Sequence, residues 1–198
     1  ANGLIHKPSF AHVLVGSPLE GPSNCLSSGK SMTPKRVKEL WDAGLLMGLN
    51  MKKPLLITEC VPGGTTTAHA VFAALGLEVA ELISGSVLQP PFALKKDLVR
   101  KGLAVARLDQ NPLPQSILAA VGDPFQVIAT GLLIGARRVG QPVLLGGGCQ
   151  MLAVLALALK ELEPSLRLDF VEDIAIATTS WLVDESSDGD QSNSSFIN

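Results

Sequence analysis

The stretch that most constrains this chain is Leu55-Leu56-Ile57-Thr58-Glu59-Cys60-Val61-Pro62-Gly63-Gly64-Thr65-Thr66-Thr67-Ala68. An apolar run ends in a carboxylate, a Pro-Gly-Gly turn follows, and threonines open a segment carrying Ala70, Val71, Ala74 and Leu75. This reads as strand, tight loop and helix N-terminus. Glycines let backbone N–H groups approach a ligand, the first N–H groups of a helix lack intrahelical partners, and hydroxyls add donors, so the loop suits a phosphate. The helix macrodipole adds only about 0.3–1 kcal/mol at an exposed end, so directed hydrogen bonds must supply most of the affinity. The loop lacks the lysine of a P-loop and the spacing of GxGxxG, which argues against an ATPase or a dinucleotide site. A plain strand-to-helix turn is the competing reading.

Along the rest of the chain, Thr33-Pro34 pairs a cap with proline at the first helical position, and Val37, Leu40, Trp41 and Leu45 recur at helical spacing. A helix is expected there, ended by Asn50 and Pro54. Residues 11–15 form a candidate strand, and residues 79–83 a second strand or extended segment. Pro90-Pro91 opens a helix with Leu94, Leu98, Val99 and Leu103, whose Lys95, Lys96, Asp97 and Arg100 read as a solvated face. A shorter helix follows Pro114, with Ile117, Leu118 and Val121 inward. Asp123-Pro124 repeats the cap-plus-proline signature and predicts helix to about Arg138. Residues 142–145 read as a buried strand, which Gly146-Gly147-Gly148-Cys149-Gln150 turns into an apolar helix through Leu162. Residues 167–173 followed by 174–177 read as a further strand ending at Thr178-Thr179-Ser180-Trp181.

Near-continuous apolar strands in repeated βα units predict an α/β fold, a Rossmann-like parallel sheet with helices on both faces. Ligands of such sheets gather at the carboxyl ends of the strands, where residues 59–67, 146–150 and 178–180 all fall. The expected organisation is a loop-rich leader over 1–32, an α/β nucleotide-binding core over 33–183 and a polar flexible tail over 184–198.

Composition removes several classes of function. A formal charge of -2, with no basic run longer than pairs such as Lys35-Arg36 and Lys95-Lys96, argues against nucleic acid. Aromatic content of 4% without tyrosine leaves little for base stacking or a membrane-interface belt. Apolar runs break well before the ~20 residues of a membrane span. Cys25, Cys60 and Cys149 are odd in number and form no CxxC pair, which fits free thiols in a reducing cytosol, so a cytoplasmic protein is expected. His6, His12 and His69 lack ligand spacing, and no metal is assigned. His69, Trp41 and Trp181 read as packing residues.

Glu59 has several readings: a partner of the loop's own N–H groups, a proton acceptor, a stabiliser of positive charge developing on a ribose, or a ligand of ribose hydroxyls. Gly146-Gly147-Gly148 suits close helix–strand packing as well as ligand contact, and Gln150 suits orienting a ligand as well as capping the turn. The stronger argument is joint: both glycine loops can face one cleft.

Residues 59–68, 143–154 and 177–181 together resemble the nicotinate-nucleotide:dimethylbenzimidazole phosphoribosyltransferases, and best their archaeal and cyanobacterial branch. Gly29-Lys30-Ser31-Met32, and Ser84-Gly85-Ser86 with Lys95, are similar to further segments of that family, so the resemblance runs from about Gly21 to Asp184. It implies transfer of phosphoribose from nicotinate mononucleotide to 5,6-dimethylbenzimidazole, giving the lower-ligand nucleotide of cobalamin. Pro62, Gly63, Gly64, Thr65, Thr66 and Thr67 would hold the 5′-phosphate and ribose side, with Glu59 as the catalytic carboxylate beside the ribose or the incoming base. Gly146, Gly147, Gly148 and Gln150 would line the same cleft. The implied partners are nicotinate mononucleotide and a benzimidazole-type base, with no cofactor, in a homo-oligomer. Two departures stand out. The family's general base is a glutamate in a Gly-Glu-Gly-like motif near the end of a longer chain, unmatched here, where the last glutamate is Glu185. The family also carries an N-terminal portion that this chain lacks, so the chain reads as a fragment holding the nucleotide-binding centre. The alternatives are a non-catalytic nucleotide-binding module and a transferase using another acceptor base such as adenine.

Overall fold

The structure, a computed structural model, describes residues 9–10, 15, 21–79 and 91–179. Most of the candidate strands over 11–15 and 79–83, the Ser84-Gly85-Ser86 segment, Ser180, Trp181 and the expected tail lie outside these residues. In chain order the elements are α1 (Pro34–Leu49), β1 (Leu55–Thr58), α2 (Gly64–Ala74), α3 (Phe92–Ala106), α4 (Pro114–Val121), α5 (Pro124–Arg138), β2 (Val143–Gly146), α6 (Cys149–Glu161), α7 (Arg167–Val171) and β3 (Ile174–Ala177). The capping signatures act as their chemistry requires. The Thr33 side chain accepts the Arg36 N–H at 3.2 Å, and Asp123 and Gln126 form a reciprocal capping box at the start of α5.

The strands form one parallel sheet in the order β1-β2-β3, with Leu55, Val143 and Ile174 in register at one end and Thr58, Gly146 and Ala177 at the other. This is the expected α/β architecture, a parallel sheet flanked by helices. Because the strands are parallel and in register, the loops after β1 and β2 leave the same edge of the sheet side by side. The cover of the two faces is uneven. Ile57, Val143 and Leu145 are buried on one face, whereas the alternating Leu56 and Leu144 are 60% and 40% exposed. Leu26, Ser31 and Met32, in the stretch read as leader, are buried, and Ser31 donates its hydroxyl hydrogen to the Ala120 carbonyl at 3.0 Å.

One local expectation is corrected. Residues 167–171 are helical as α7, and the strand begins only at Ile174. Pro164 starts a tight 3₁₀ turn that feeds directly into α7, and Leu168 on it is 80% exposed, so no second sheet face claims the segment. The Arg137 guanidinium secures its far end, donating to the carbonyls of Phe170 at 3.0 Å and Gln141 at 3.1 Å and pairing with Asp173 at 3.1 Å.

The helical layer rests on the contact between α1 and α5. A Cβ at Gly44 would lie 2.3 Å from the Ile128 carbonyl oxygen, at Gly48 2.4 Å from that of Leu132, at Gly131 2.5 Å from that of Trp41, and at Gly135 2.3 Å from that of Leu45. These helices therefore meet backbone to backbone, closer than the side-chain-mediated spacing of about 8–10 Å. Gly135→Ala gains ~1 kcal/mol of helix propensity, but its methyl group must force the helices apart, so a net loss of about 2 kcal/mol is expected. Urea unfolding should show a lower midpoint for this variant; an unchanged midpoint would mean that the helices do not touch this closely.

Candidate functional site

Gly63 precedes α2 in the left-handed conformation, with φ 76°, and turns the chain from β1 into the helix. Not every N–H group of the loop is available. That of Gly64 donates to the Val61 carbonyl at 3.0 Å and that of Thr66 to the Gly63 carbonyl at 2.9 Å. The N–H groups of Gly63 and Thr65 have no protein acceptor among the described residues. Pro62 and Gly63 are exposed, Thr65 and Thr66 half-buried and Gly64 buried. Glu59 is half-buried at the end of β1, and its Oε2 accepts the Val61 N–H at 2.7 Å. The carboxylate thus braces its own loop through one oxygen.

Lys95 departs from the solvated face expected for it. Its Nζ donates to Thr65 Oγ1 at 2.8 Å, which brings a cation from α3 to the first turn of α2. Its neighbours behave as solvated charges, with Asp97 pairing with Arg100 at 2.8 Å and Lys101 at 2.6 Å. The charged run around Lys95 concealed this placement, although at 100° per residue Lys95 falls among Leu98, Val99 and Gly102 on the inward side of α3, apart from Lys96, Asp97 and Arg100.

Behind the loop lies a buried polar group linking α2, α5 and α6. The Thr67 hydroxyl donates to Asp123 Oδ2 at 2.6 Å, and Gln150 Nε2 donates to the same oxygen at 2.9 Å. Gln126 Nε2 donates to Gln150 Oε1 at 2.7 Å. Asp123, Gln126 and Gln150 are all buried. The two glycine loops meet here, since a Cβ on Gly64 would lie 2.8 Å from Gln150 Nε2. In the second loop, the Gly147 N–H donates to the Ala177 carbonyl at 2.8 Å. Gly146 passes so close to β1 that a Cβ would lie 2.9 Å from Thr58 Cγ2. Gly148 precedes α6. In the sequence Asp123-Pro124 signals only a helix start, and Gln126 carries no signal of its own; nothing local pairs them with Thr67 and Gln150.

Among the described residues no group of three or more His, Cys, Asp or Glu is placed to hold a metal, and no helix is long and apolar enough to cross a membrane. An open, mostly apolar cavity of about 390 Å³, lined by Pro54, Pro142, Leu144 and Glu172 among others, lies at the amino ends of the strands, away from both glycine loops. His69, one turn along α2, is buried. Burial first, then the charges of Lys96 and Lys95, hold its pKa below the ordinary 6.5.

A family model described as phosphoribosyltransferase (DBI_PRT) matches residues 8–171, and the chain belongs to this family. A UPF0284 protein of Prochlorococcus marinus (strain MIT 9313) is 54% identical over 190 residues, covering 96% of this chain and 47% of that protein. Another from Rippkaea orientalis is 36% identical, covering 92% of this chain and 51% of its own length. Among solved structures, the nicotinate-nucleotide-dimethylbenzimidazole phosphoribosyltransferase of Thermus thermophilus superposes with a TM-score of 0.65 at 26% identity, covering 80% of this chain and 46% of that one. The chain spans about half the length of the curated relatives it matches.

The position of His69 has a measurable consequence. Between its lowered folded value and the 6.5 of the unfolded chain, the unfolded state binds more protons, so stability rises with pH across that window. The contribution is complete above 6.5 and is lost as pH falls through the folded value. His69→Asn should lack this component, so the melting temperature of the wild type should fall more steeply than the variant's below pH 6.5. Parallel curves would place His69 in an environment no different from water.

Proposed function

We propose that this chain forms the nucleotide-binding part of a transferase that moves phosphoribose from nicotinate mononucleotide to 5,6-dimethylbenzimidazole. The observation that carries the reading is Lys95 Nζ set 2.8 Å from Thr65 Oγ1, at a helix start whose Gly63 and Thr65 N–H groups have no protein acceptor among the described residues. A cation, hydroxyls and unpaired N–H groups on one turn suit a phosphate dianion. Residues 62–66 hold the phosphate and ribose, Thr67 turns its hydroxyl away from them to Asp123, and Gly146, Gly147, Gly148 and Gln150 close the neighbouring wall. Membership of the phosphoribosyltransferase family and the likeness to the Thermus enzyme support the same substrates.

The chemistry follows from the placement. As the bond between the ribose anomeric carbon and the pyridinium nitrogen breaks, its electron pair neutralises the ring, and nicotinate leaves. A benzimidazole nitrogen supplies the lone pair of the new bond, and the proton of the other azole nitrogen passes to a carboxylate or to water. Glu59, with Oε2 fixed by the Val61 N–H, directs its other oxygen to the positive charge on the ribose or to that proton.

Calorimetric titration with nicotinate mononucleotide, with nicotinate riboside as the control lacking phosphate, tests the assignment. The mononucleotide should bind at least tenfold more tightly, and Lys95→Met should remove about tenfold of that preference, or ~1.4 kcal/mol. Equal affinity for the two ligands would remove the phosphate assignment. In the full-length protein, Glu59→Gln should slow nicotinate release by roughly 10²–10⁴-fold with little change in mononucleotide affinity. A panel of acceptor bases in the same assay separates dimethylbenzimidazole from adenine.

A further inference from the structure

The buried group behind the phosphate loop has a fixed polarity that follows from one backbone atom. The Asp123 N–H can only donate, and it does so to Gln126 Oε1 at 3.1 Å. Gln126 must then present its Nε2, which donates to Gln150 Oε1 at 2.7 Å. Gln150 in turn must present its own Nε2, which donates to Asp123 Oδ2 at 2.9 Å. The ring closes on the residue where it began. Thr67, whose hydroxyl donates to the same Oδ2 at 2.6 Å, attaches the first turn of α2 to it.

The two oxygens of Asp123 therefore have separate tasks. Oδ1 caps α5 by accepting the Gln126 N–H at 2.9 Å, whereas Oδ2 holds α2 and α6. Asparagine caps helices as well as aspartate does, so the cap alone does not call for a carboxylate. An acceptor at both positions does. We propose that Asp123 is a positioning residue of the phosphate site: through Thr67 and Gln150 it fixes the first turn of α2, and with it the Thr65 N–H and hydroxyl, against the second glycine loop. This rests on the phosphate reading given above. Thr67 and Gln150 serve the site from inside its wall, and Gly64 stays a glycine because the Gln150 amide backs the loop where its Cβ would lie.

Asp123→Asn isolates this role. With Oδ1 kept as the α5 cap, its Nδ2 opposes Gln150 Nε2, and neither glutamine can turn over without abandoning the Asp123 N–H or its partner in the ring. Two readouts follow. Hydrogen exchange at the amides of residues 66–68 should quicken at least tenfold while those of the middle of α5 are unchanged, and the preference for nicotinate mononucleotide over nicotinate riboside should fall about tenfold. Thr67→Ser, which keeps the hydroxyl, should match the wild type. Thr67→Val, which removes the hydroxyl's bond to Asp123 and also its alternative one to the Gly64 carbonyl at 3.0 Å, should show both effects at least as strongly as Asp123→Asn. A merely structural carboxylate would lower the melting temperature yet leave the exchange pattern of the loop and the ligand preference of the folded protein unchanged, and that result would overturn the proposal. If Asp123→Asn does not fold, the Thr67 pair, which leaves the α5 cap intact, decides by the same readouts. Should the wild type show no preference for the phosphorylated ligand, the phosphate reading falls, and the exchange comparison still decides whether Asp123 positions the loop.

Discussion

The direct contact between α1 and α5 fixes much else in this structure. Glycines at 44 and 48 on one helix and at 131 and 135 on the other remove the side chains that would separate them, so the helices lock at their carbonyl groups. A contact through backbone atoms has little freedom to slide, because each carbonyl occupies the space of a missing methyl group. With α5 so placed, its N-cap residue Asp123 falls behind the loop that leaves β1. The capping box at Asp123 thus becomes a wall of the site as well as the start of a helix.

The parallel register does the complementary work at the sheet. Thr58 and Gly146 are direct partners, so the chain leaves β1 and β2 at one level and the two glycine loops emerge as neighbours. Gly146 leaves room for the Thr58 methyl group, and Gly64 admits the Gln150 amide between the loops. A glycine-rich strand end and a glycine-rich helix start are here one requirement seen from two sides. The sheet edge brings the loops together, and small residues let them touch.

How much of this was legible in the sequence depended on how local the cause was. Thr33-Pro34 and Asp123-Pro124 announced their helices because capping and proline chemistry act within one turn, and the glycine loops announced their strand ends for the same reason. Residues 167–171 misled, because their apolar alternation toward Ile174 resembles a strand while Pro164 sets a helical path a few residues earlier. Lys95 was hidden by company: Lys96, Asp97 and Arg100 beside it in the chain are ordinary solvated charges, yet at 100° per residue Lys95 falls between Leu98 and Val99 on the inward side of α3, and that is the signal that separates it from them. The group around Asp123 joins its own capping box with Gln126 to Thr67 and Gln150, and no periodicity links 67 and 150 to that helix start. The four-residue spacing of Gly44 with Gly48, and of Gly131 with Gly135, was visible and is the signal that would have paired α1 with α5.

A carboxylate behind the proposed phosphate site looks self-defeating, since its charge would oppose the ligand's. The hydrogen bonds account for it. Asp123 sits at the N-terminus of α5, whose own dipole offsets part of the charge, and Thr67 and Gln150 direct donors onto Oδ2. What remains still cancels some of the attraction that α2 alone would offer, and that attraction is only about 0.3–1 kcal/mol at an exposed end. The balance for an anion therefore cannot come from the helix end. On the proposed reading it falls to the cation on the open side, Lys95, and to the Gly63 and Thr65 N–H groups, which have no protein acceptor among the described residues. The carboxylate contributes geometry and the lysine charge. On the proposed reading, such a site would tell a phosphorylated ligand from its unphosphorylated form by Lys95 and these N–H groups together, held on a turn that the buried ring keeps in place.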